Sequence, residues 1–136
     1  GTDGQKMSKS KKNTIDIFLP EKNLRKQIMS IQTDSIPLED PKDPESCNVF
    51  SLYSILASKS ETEILKEKYL LGGLGYGQAK QELFDIILTR FSKEREKYNY
   101  YLQNPGEVKS ALSKGAEKAR KVAKKVLLRV RNKIGY

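Results

Sequence analysis

The sequence predicts an all-α fold, about five helices in a bundle, preceded by a flexible N-terminal loop. Apolar residues recur at three- and four-residue steps over most of residues 21–134, the spacing that puts them on one side of a helix. Prolines and glycines gather into a few breaks, Pro37, Pro41 and Pro44 in one and Gly72, Gly73, Gly75 and Gly77 in another, leaving helix-length intervals between them. Only Thr14-Ile15-Asp16-Ile17-Phe18-Leu19 is β-branched and loosely alternating, and it is short enough to be an extended connector.

Pro20 sets up the first helix, from Glu21 to about Thr33, with Leu24, Ile28, Met29 and Ile31 mostly on one side. Residues 34–46 read as an irregular loop, because each proline lacks a donor and biases its predecessor away from the helical region. A second helix is expected to begin near Ser46 to Asn48 and to end around Ser58, burying Val49, Phe50, Leu52, Tyr53 and Leu56. Ser60 and Glu63 have capping-box spacing for a third helix carrying Ile64, Leu65, Tyr69 and Leu70. The glycines from Gly72 to Gly77 cap it and turn the chain. One long helix of about seven turns then carries Ala79, Leu83, Ile86, Ile87, Phe91, Tyr98, Tyr101 and Leu102. Asn104, Pro105 and Glu107 supply an N-cap, a first-turn proline and a capping-box acceptor for the last helix. Its stripe is Val108, Leu112, Ala116, Ala119, Ala123, Val126, Val130 and Ile134, with Lys114, Lys118, Lys121, Lys125 and Arg129 roughly opposite.

The formal charge of +9 is unevenly spread. Residues 105–136 hold ten Lys/Arg against Glu107 and Glu117, so the basicity belongs to the last helix. Such a segment points to a polyanion, with RNA phosphates the natural candidate, and a solvated helix face explains it nearly as well. Cys47 is the only cysteine, which excludes an internal disulfide. No run of about 18 apolar residues is present to span a bilayer, and the first residues resemble neither a signal nor a transit peptide, so a reducing, cytoplasmic setting is expected. Histidine is absent, so no mechanism that needs an imidazole can be run by this chain alone.

Lys6-Met7-Ser8-Lys9-Ser10 is the segment richest in chemistry. Two ammonium groups three positions apart, alternating with small hydroxyls, suit a mobile loop that follows a polyphosphate as its charge shifts. On composition alone such a segment reads as solvated disorder, and the particular order of residues is what singles it out. The glycine cluster, Gly72 to Gly77, misses the dinucleotide pattern and has no strand before it, so it reads as a structural turn. Tyr98, Tyr100 and Tyr101 could stack on unpaired bases, but two of them fall on the predicted apolar stripe, which favours packing. The spacing of Asp16, Asp34, Asp40 and Asp43 matches no calcium loop, and no metal site is assigned.

The pentapeptide is one of the two signature motifs of class I aminoacyl-tRNA synthetases, and the whole chain resembles the bacterial tryptophanyl-tRNA synthetases from that loop onward. The resemblance is carried by Asp3 to Ser10 with Asn13 and Ile15; by Arg25-Lys26-Gln27-Ile28 and Thr33-Asp34-Ser35; and by Asn48-Val49-Phe50-Ser51-Leu52-Tyr53-Ser54. Tyr76-Gly77, Gly115-Ala116-Glu117-Lys118-Ala119-Arg120, Val130-Arg131 and Gly135-Tyr136 add to it.

The resemblance implies a ligase that activates tryptophan with Mg-ATP (ATP with Mg2+ as cofactor) and passes the acyl group to tRNA(Trp). It assigns Lys6 and Lys9 the catalytic task of meeting the charge on the departing pyrophosphate, and ATP binding to Lys6, Met7, Ser8, Lys9 and Ser10, with Met7 beside the adenine. It implies tRNA contacts at Arg25, Lys26, Thr33, Asp34 and Ser35. Residues 1–15 would close a nucleotide-binding domain, 16–103 would form the helical anticodon-binding bundle, and 104–136 the basic helix that returns to the catalytic domain. The full-length enzyme would be a homodimer, through a domain that this chain lacks. The family's histidine motif, its tryptophan pocket and the sheet that seats ATP have no counterpart here. The expectation is therefore a fragment, inactive in adenylate formation by itself, with part of Val122, Val126, Val130 and Ile134 exposed. A stand-alone helical RNA-binding module is the alternative.

Overall fold

A computed structural model describes residues 1–135, and the regular structure among them is entirely helical. Tyr136, the end of the closing segment quoted above, lies outside the described residues. The helices are α1 Glu21–Met29, α2 Asn48–Leu56, α3 Lys59–Leu71, α4 Tyr76–Arg90, α5 Ser92–Gln103 and α6 Pro105–Ile134. The chain divides into two compact units, Gly1–Arg95 and Glu96–Tyr136.

In the first unit α4 packs on both α1 and α2, and α2 also packs on α3. Leu24 and Ile28 of α1, Val49 of α2, Leu65 and Tyr69 of α3, and Ala79 and Leu83 of α4 are fully buried. Each such large side chain contributes about 1.5–3 kcal/mol through burial. Phe50 meets Tyr69 edge-on, with ring centres 5.6 Å apart. The Tyr69 hydroxyl lies 3.4 Å from the Cys47 sulfur, and burial pushes its pKa well up, so it stays a neutral phenol.

Helix ends differ from the sequence expectation where a side chain captures a backbone group. The first helix stops at Met29 and not near Thr33, because the Ser30 hydroxyl donates to the Gln27 carbonyl at 2.7 Å and Lys80 Nζ donates to the Met29 carbonyl at 3.0 Å. The capping box of α3 is Ser58 with Glu61, two residues earlier than Ser60 with Glu63: Glu61 N–H donates to Ser58 Oγ at 3.3 Å and Ser58 N–H to Glu61 Oε2 at 2.7 Å. In this helix Leu65 and Tyr69 face inward while Ile64 and Leu70 are exposed. Helix α2 starts without a side-chain cap, and the Asn48 amide turns instead to the Gln32 carbonyl.

The glycine cluster turns the chain as expected. Gly72 and Gly73 have φ of +78° and +79°, and a Cβ on Gly72 would run into the Glu39 carbonyl oxygen. The single long helix expected after it is two, which makes six helices where about five were expected. The break falls at Phe91 (φ −105°, ψ 16°), where the Ser92 hydroxyl donates back to the Thr89 carbonyl at 3.2 Å and Phe91 packs against the core.

In the second unit, α6 runs for 30 residues from Pro105. Glu107 accepts the Tyr100 hydroxyl, and Asn104 donates to the Tyr100 carbonyl at 2.8 Å, so the expected capping box does not form. Neither α5 nor α6 has a buried residue. Tyr98, Tyr100 and Tyr101 are thus exposed and not core, and Val122, Val126, Val130 and Ile134 are exposed in line with expectation.

Candidate functional site

Residues 2–13 form a loop closed at its base, where Thr2 N–H donates to the Asn13 carbonyl at 2.9 Å. Asn13 is 3% exposed and organises the interior. Its Nδ2 donates to Asp3 Oδ1 at 2.7 Å and to the Lys6 carbonyl at 3.2 Å, while its Oδ1 accepts Ser8 N–H at 2.7 Å. The Asn13 amide, followed by the Gln5 N–H, holds the Asp3 carboxyl below its ordinary value of 3.8. Asp3 is therefore an ionised acceptor at neutral pH, which strengthens the clasp.

The clasp is rooted in the helical unit. Gln32 N–H donates to the Thr2 carbonyl at 2.8 Å, and Asn48 Nδ2 donates to the Gln32 carbonyl at 3.0 Å. Gly4 completes the base at φ +75°, with the Asn48 side chain so near that an added Cβ would lie 2.5 Å from its Oδ1.

Above this base two tight turns follow, with Lys9 within both: Lys11 N–H donates to the Ser8 carbonyl at 3.1 Å and Lys12 N–H to the Lys9 carbonyl at 3.2 Å. The Ser8 and Ser10 hydroxyls are 2.9 Å apart and share a hydrogen bond. Lys11 Nζ donates to Gln5 Oε1 at 2.8 Å. The exposed ammonium groups of Lys6 and Lys9 have no hydrogen-bond or ion-pair partner among the described residues. Met7 lines an apolar groove of about 210 Å³ with Ile15, Ile17, Leu52 and Phe91. Unpaired cations beside hydroxyls, with no imidazole in the chain, can bind and stabilise an anion but supply neither a general base nor an activated nucleophile.

Of the five residues read from sequence as tRNA contacts, Arg25 and Asp34 are held by side chains of α4. Arg25 Nε donates to Gln81 Oε1 at 3.1 Å, and Gln81 Nε2 in turn donates to Asp85 Oδ1 at 2.9 Å. Lys26 is exposed beside it on α1. Asp34 Oδ1 accepts the Tyr76 hydroxyl and the Ile36 N–H. Burial, and then the bond to Asp34, pushes the Tyr76 hydroxyl up, so it serves as a donor. Thr33 is half-buried and Ser35 exposed on either side. The structure thus joins Thr33, Asp34 and Ser35 to the base of the lysine loop through Gln32, and anchors Arg25 five residues further along α4 than Asp34.

Sequence reasoning missed the supporting residues. Lys42 is 2% exposed, and its three donors meet the carbonyls of Pro37, Leu38 and Asp40 at 2.8, 3.2 and 3.0 Å. Its ammonium also lies 5.6 Å from the centre of the Tyr76 ring. The loop after Asp34, expected to be irregular, is wrapped around this ammonium. Nothing in a lysine among prolines and aspartates signals burial. Asn13 entered only as one of the residues that carry the resemblance, and nothing around it in the sequence marks it as buried. Among the described residues no three His, Cys, Asp or Glu side chains come together as a metal cage. No helix of the described residues is long and apolar enough to cross a membrane.

Comparison with known proteins agrees with the resemblance. The family model of class I tRNA synthetases (W and Y) matches residues 1–92. A tryptophan–tRNA ligase of Campylobacter jejuni is 49% identical over 135 residues, covering 99% of this chain and 42% of its own length. That of Fusobacterium nucleatum is 44% identical over the same length, with 41% of its own sequence covered. The crystal structure of the Campylobacter jejuni tryptophanyl-tRNA synthetase, complexed with ADP and tryptophan, superposes with a TM-score of 0.95 at 48% identity, over 100% of this chain and 43% of that one. The chain spans about two fifths of the length of these curated relatives.

Proposed function

Because the chain belongs to the class I tRNA synthetases of the tryptophan and tyrosine group, we propose that it is the part of a tryptophan–tRNA ligase that bears the phosphate loop and the tRNA-binding helices. In the first step a carboxylate oxygen of tryptophan bonds to the α-phosphorus of ATP. The bond from that phosphorus to the bridging oxygen breaks, and its electron pair leaves with pyrophosphate. Lys6 and Lys9 meet the charge that develops there, and Ser8 and Ser10 add hydroxyl donors. In the second step the activated acyl group passes to the 3′ end of tRNA(Trp).

The observation that carries this reading is the pair of unpartnered ammonium groups on a loop whose base is clasped by Asn13 and Asp3. A fixed base with free ammonium groups beyond it is what a loop needs in order to close on a leaving group without losing register. Magnesium would accompany ATP, but this chain's own residues form no cage for it among those described, and no step is routed through it. The charged groups of Arg25, Lys26 and Asp34, with Thr33 and Ser35, would meet the tRNA. Residues 1–15 would belong to the catalytic half, 16–103 to the bundle and 104–136 to the returning helix, in a cytoplasmic homodimer whose remaining parts hold the tryptophan.

The test is ATP–pyrophosphate exchange in the full-length enzyme carrying Lys6→Gln and Lys9→Gln. Loss of one preorganised donor of this kind slows chemistry by about 10²–10³-fold. The doubly substituted enzyme should lose at least that in kcat, and the 136-residue chain alone should give no exchange above a protein-free blank. An unchanged kcat in the double variant, or turnover by the isolated chain, would overturn the proposal.

A further inference from the structure

We propose that the face of α6 bearing Lys114, Lys118, Lys121, Lys125 and Arg129 is a binding rail for an RNA backbone, holding phosphates by charge without reading bases. At 100° per residue these five side chains fall within about 80° of arc, and at 1.5 Å per residue they span about 22 Å. All five are exposed, and none has an ion-pair partner among the described residues. Of the two acids in the helix, Glu107 precedes the first lysine by two turns and is taken by the Tyr100 hydroxyl, while Glu117 lies on the margin of the arc. The result is a straight row of unneutralised cations, set one turn apart, facing solvent.

A polyanion with closely spaced charges is the complement of such a row. Each strand of a nucleic-acid duplex presents a phosphate roughly every 3 Å along its axis, so every side chain on the rail has one within reach. The helix contains no aromatic residue to stack on a base, so the contact is independent of sequence. An anionic membrane is the competing partner for a basic amphipathic helix. Surface-lying helices of that kind carry Trp, Phe or Leu along the buried side, whereas this side has neither Trp nor Phe, and Ala116, Ala119 and Ala123 interrupt its large apolar residues between Leu112 and Val126. The inference rests on the charge of α6 and not on the tryptophan reading, and it adds a second kind of RNA contact to the one proposed for the bundle.

The test compares two variants of the chain with the same net charge. One carries K114Q, K118Q, K121Q, K125Q and R129Q; the other carries K109Q, R120Q, K124Q, R131Q and K133Q, which lie off the arc. Each brings the formal charge from +9 to +4, and glutamine preserves helix propensity. Affinity for a tryptophan tRNA and for an unrelated tRNA is read by fluorescence anisotropy between about 50 and 200 mM KCl. Five phosphate contacts predict that the slope of log K against log salt becomes shallower by about 3.5–4.5 in the first variant, equally for both RNAs. The off-arc variant should lose less than half as much, and arginine at the four lysines should keep the slope. Equal losses in the two variants, no loss in the first, or binding to phosphatidylglycerol vesicles in place of RNA would overturn the rail. Absence of preference for the tryptophan tRNA counts against the ligase reading alone and leaves the difference between the two variants standing.

Discussion

Replacing Asn13 with alanine should release the lysine loop while leaving the helices intact. The carboxamide makes two bonds to loop backbone, accepting Ser8 N–H at 2.7 Å and donating to the Lys6 carbonyl at 3.2 Å. At about 1 kcal/mol each, their loss favours loop opening by about 2 kcal/mol, which is about 30-fold in the opening equilibrium. The assay is hydrogen exchange at the Ser8 amide followed by NMR, where the rate should rise by that factor. The midpoint of urea unfolding should stay nearly fixed, because the core lies in α1 to α4 and does not include Asn13. A second readout is the Asp3 carboxyl, which should move back up towards 3.8 once the Asn13 amide is gone. The sign follows from the depressed value: the carboxylate's support is present above 3.8 and is lost as pH falls through the lowered value. Acid should therefore lower the Ser8 protection factor, taken against the intrinsic exchange rate at the same pH, in the native chain and much less in the variant. Unaltered Ser8 protection, or a fall in global stability as large as the local one, would refute the view that Asn13 acts on the loop alone.

The two adjacent glycines can be compared: Gly72→Ala and Gly73→Ala both place alanine at φ near +78°, a strain of about 1–3 kcal/mol, but only Gly72 has the Glu39 carbonyl in the way. Urea titration should find Gly72→Ala the more destabilised, and equal effects would contradict the close approach. Lys42→Met should destabilise the first unit by about 3 kcal/mol, because three buried carbonyls lose their donor. Thermal unfolding gives that value, and a melting temperature within a degree of the native chain would show that the ammonium is not structural.

The helices were legible where periodicity and a breaker coincide. Leu24, Ile28, Leu65, Tyr69, Ala79 and Leu83 were read as inward-facing and are buried. Helix ends were less legible, since Ser58 and Ser60 are equally good caps on paper and tertiary packing of Leu65 and Tyr69 decides between them. The break at Phe91 was missed because the apolar steps continue through it; a single serine hydroxyl folding back on Thr89 leaves no mark on periodicity. The lysine loop was legible as a motif. Its clasp was not, because Asp3, Asn13, Gln32 and Asn48 are joined through long-range contacts of polar residues that would look equally at home in solvent. Lys42 illustrates the general difficulty: burial of an ammonium depends on three carbonyls converging, and convergence is a property of the folded backbone.

The bond between Thr2 and Asn13 fastens both ends of the loop to a single point. A tethered segment of this kind has a finite arm's reach: with about ten free residues at roughly 3.4 Å each, half the contour is about 17 Å, and the tip can stray no farther from its knot. Any anion met by Lys6 or Lys9 must therefore arrive within that radius, plus one lysine side chain, of Asn13. The knot draws a sphere on the molecule inside which the phosphates have to sit, and it does so before any ligand is present.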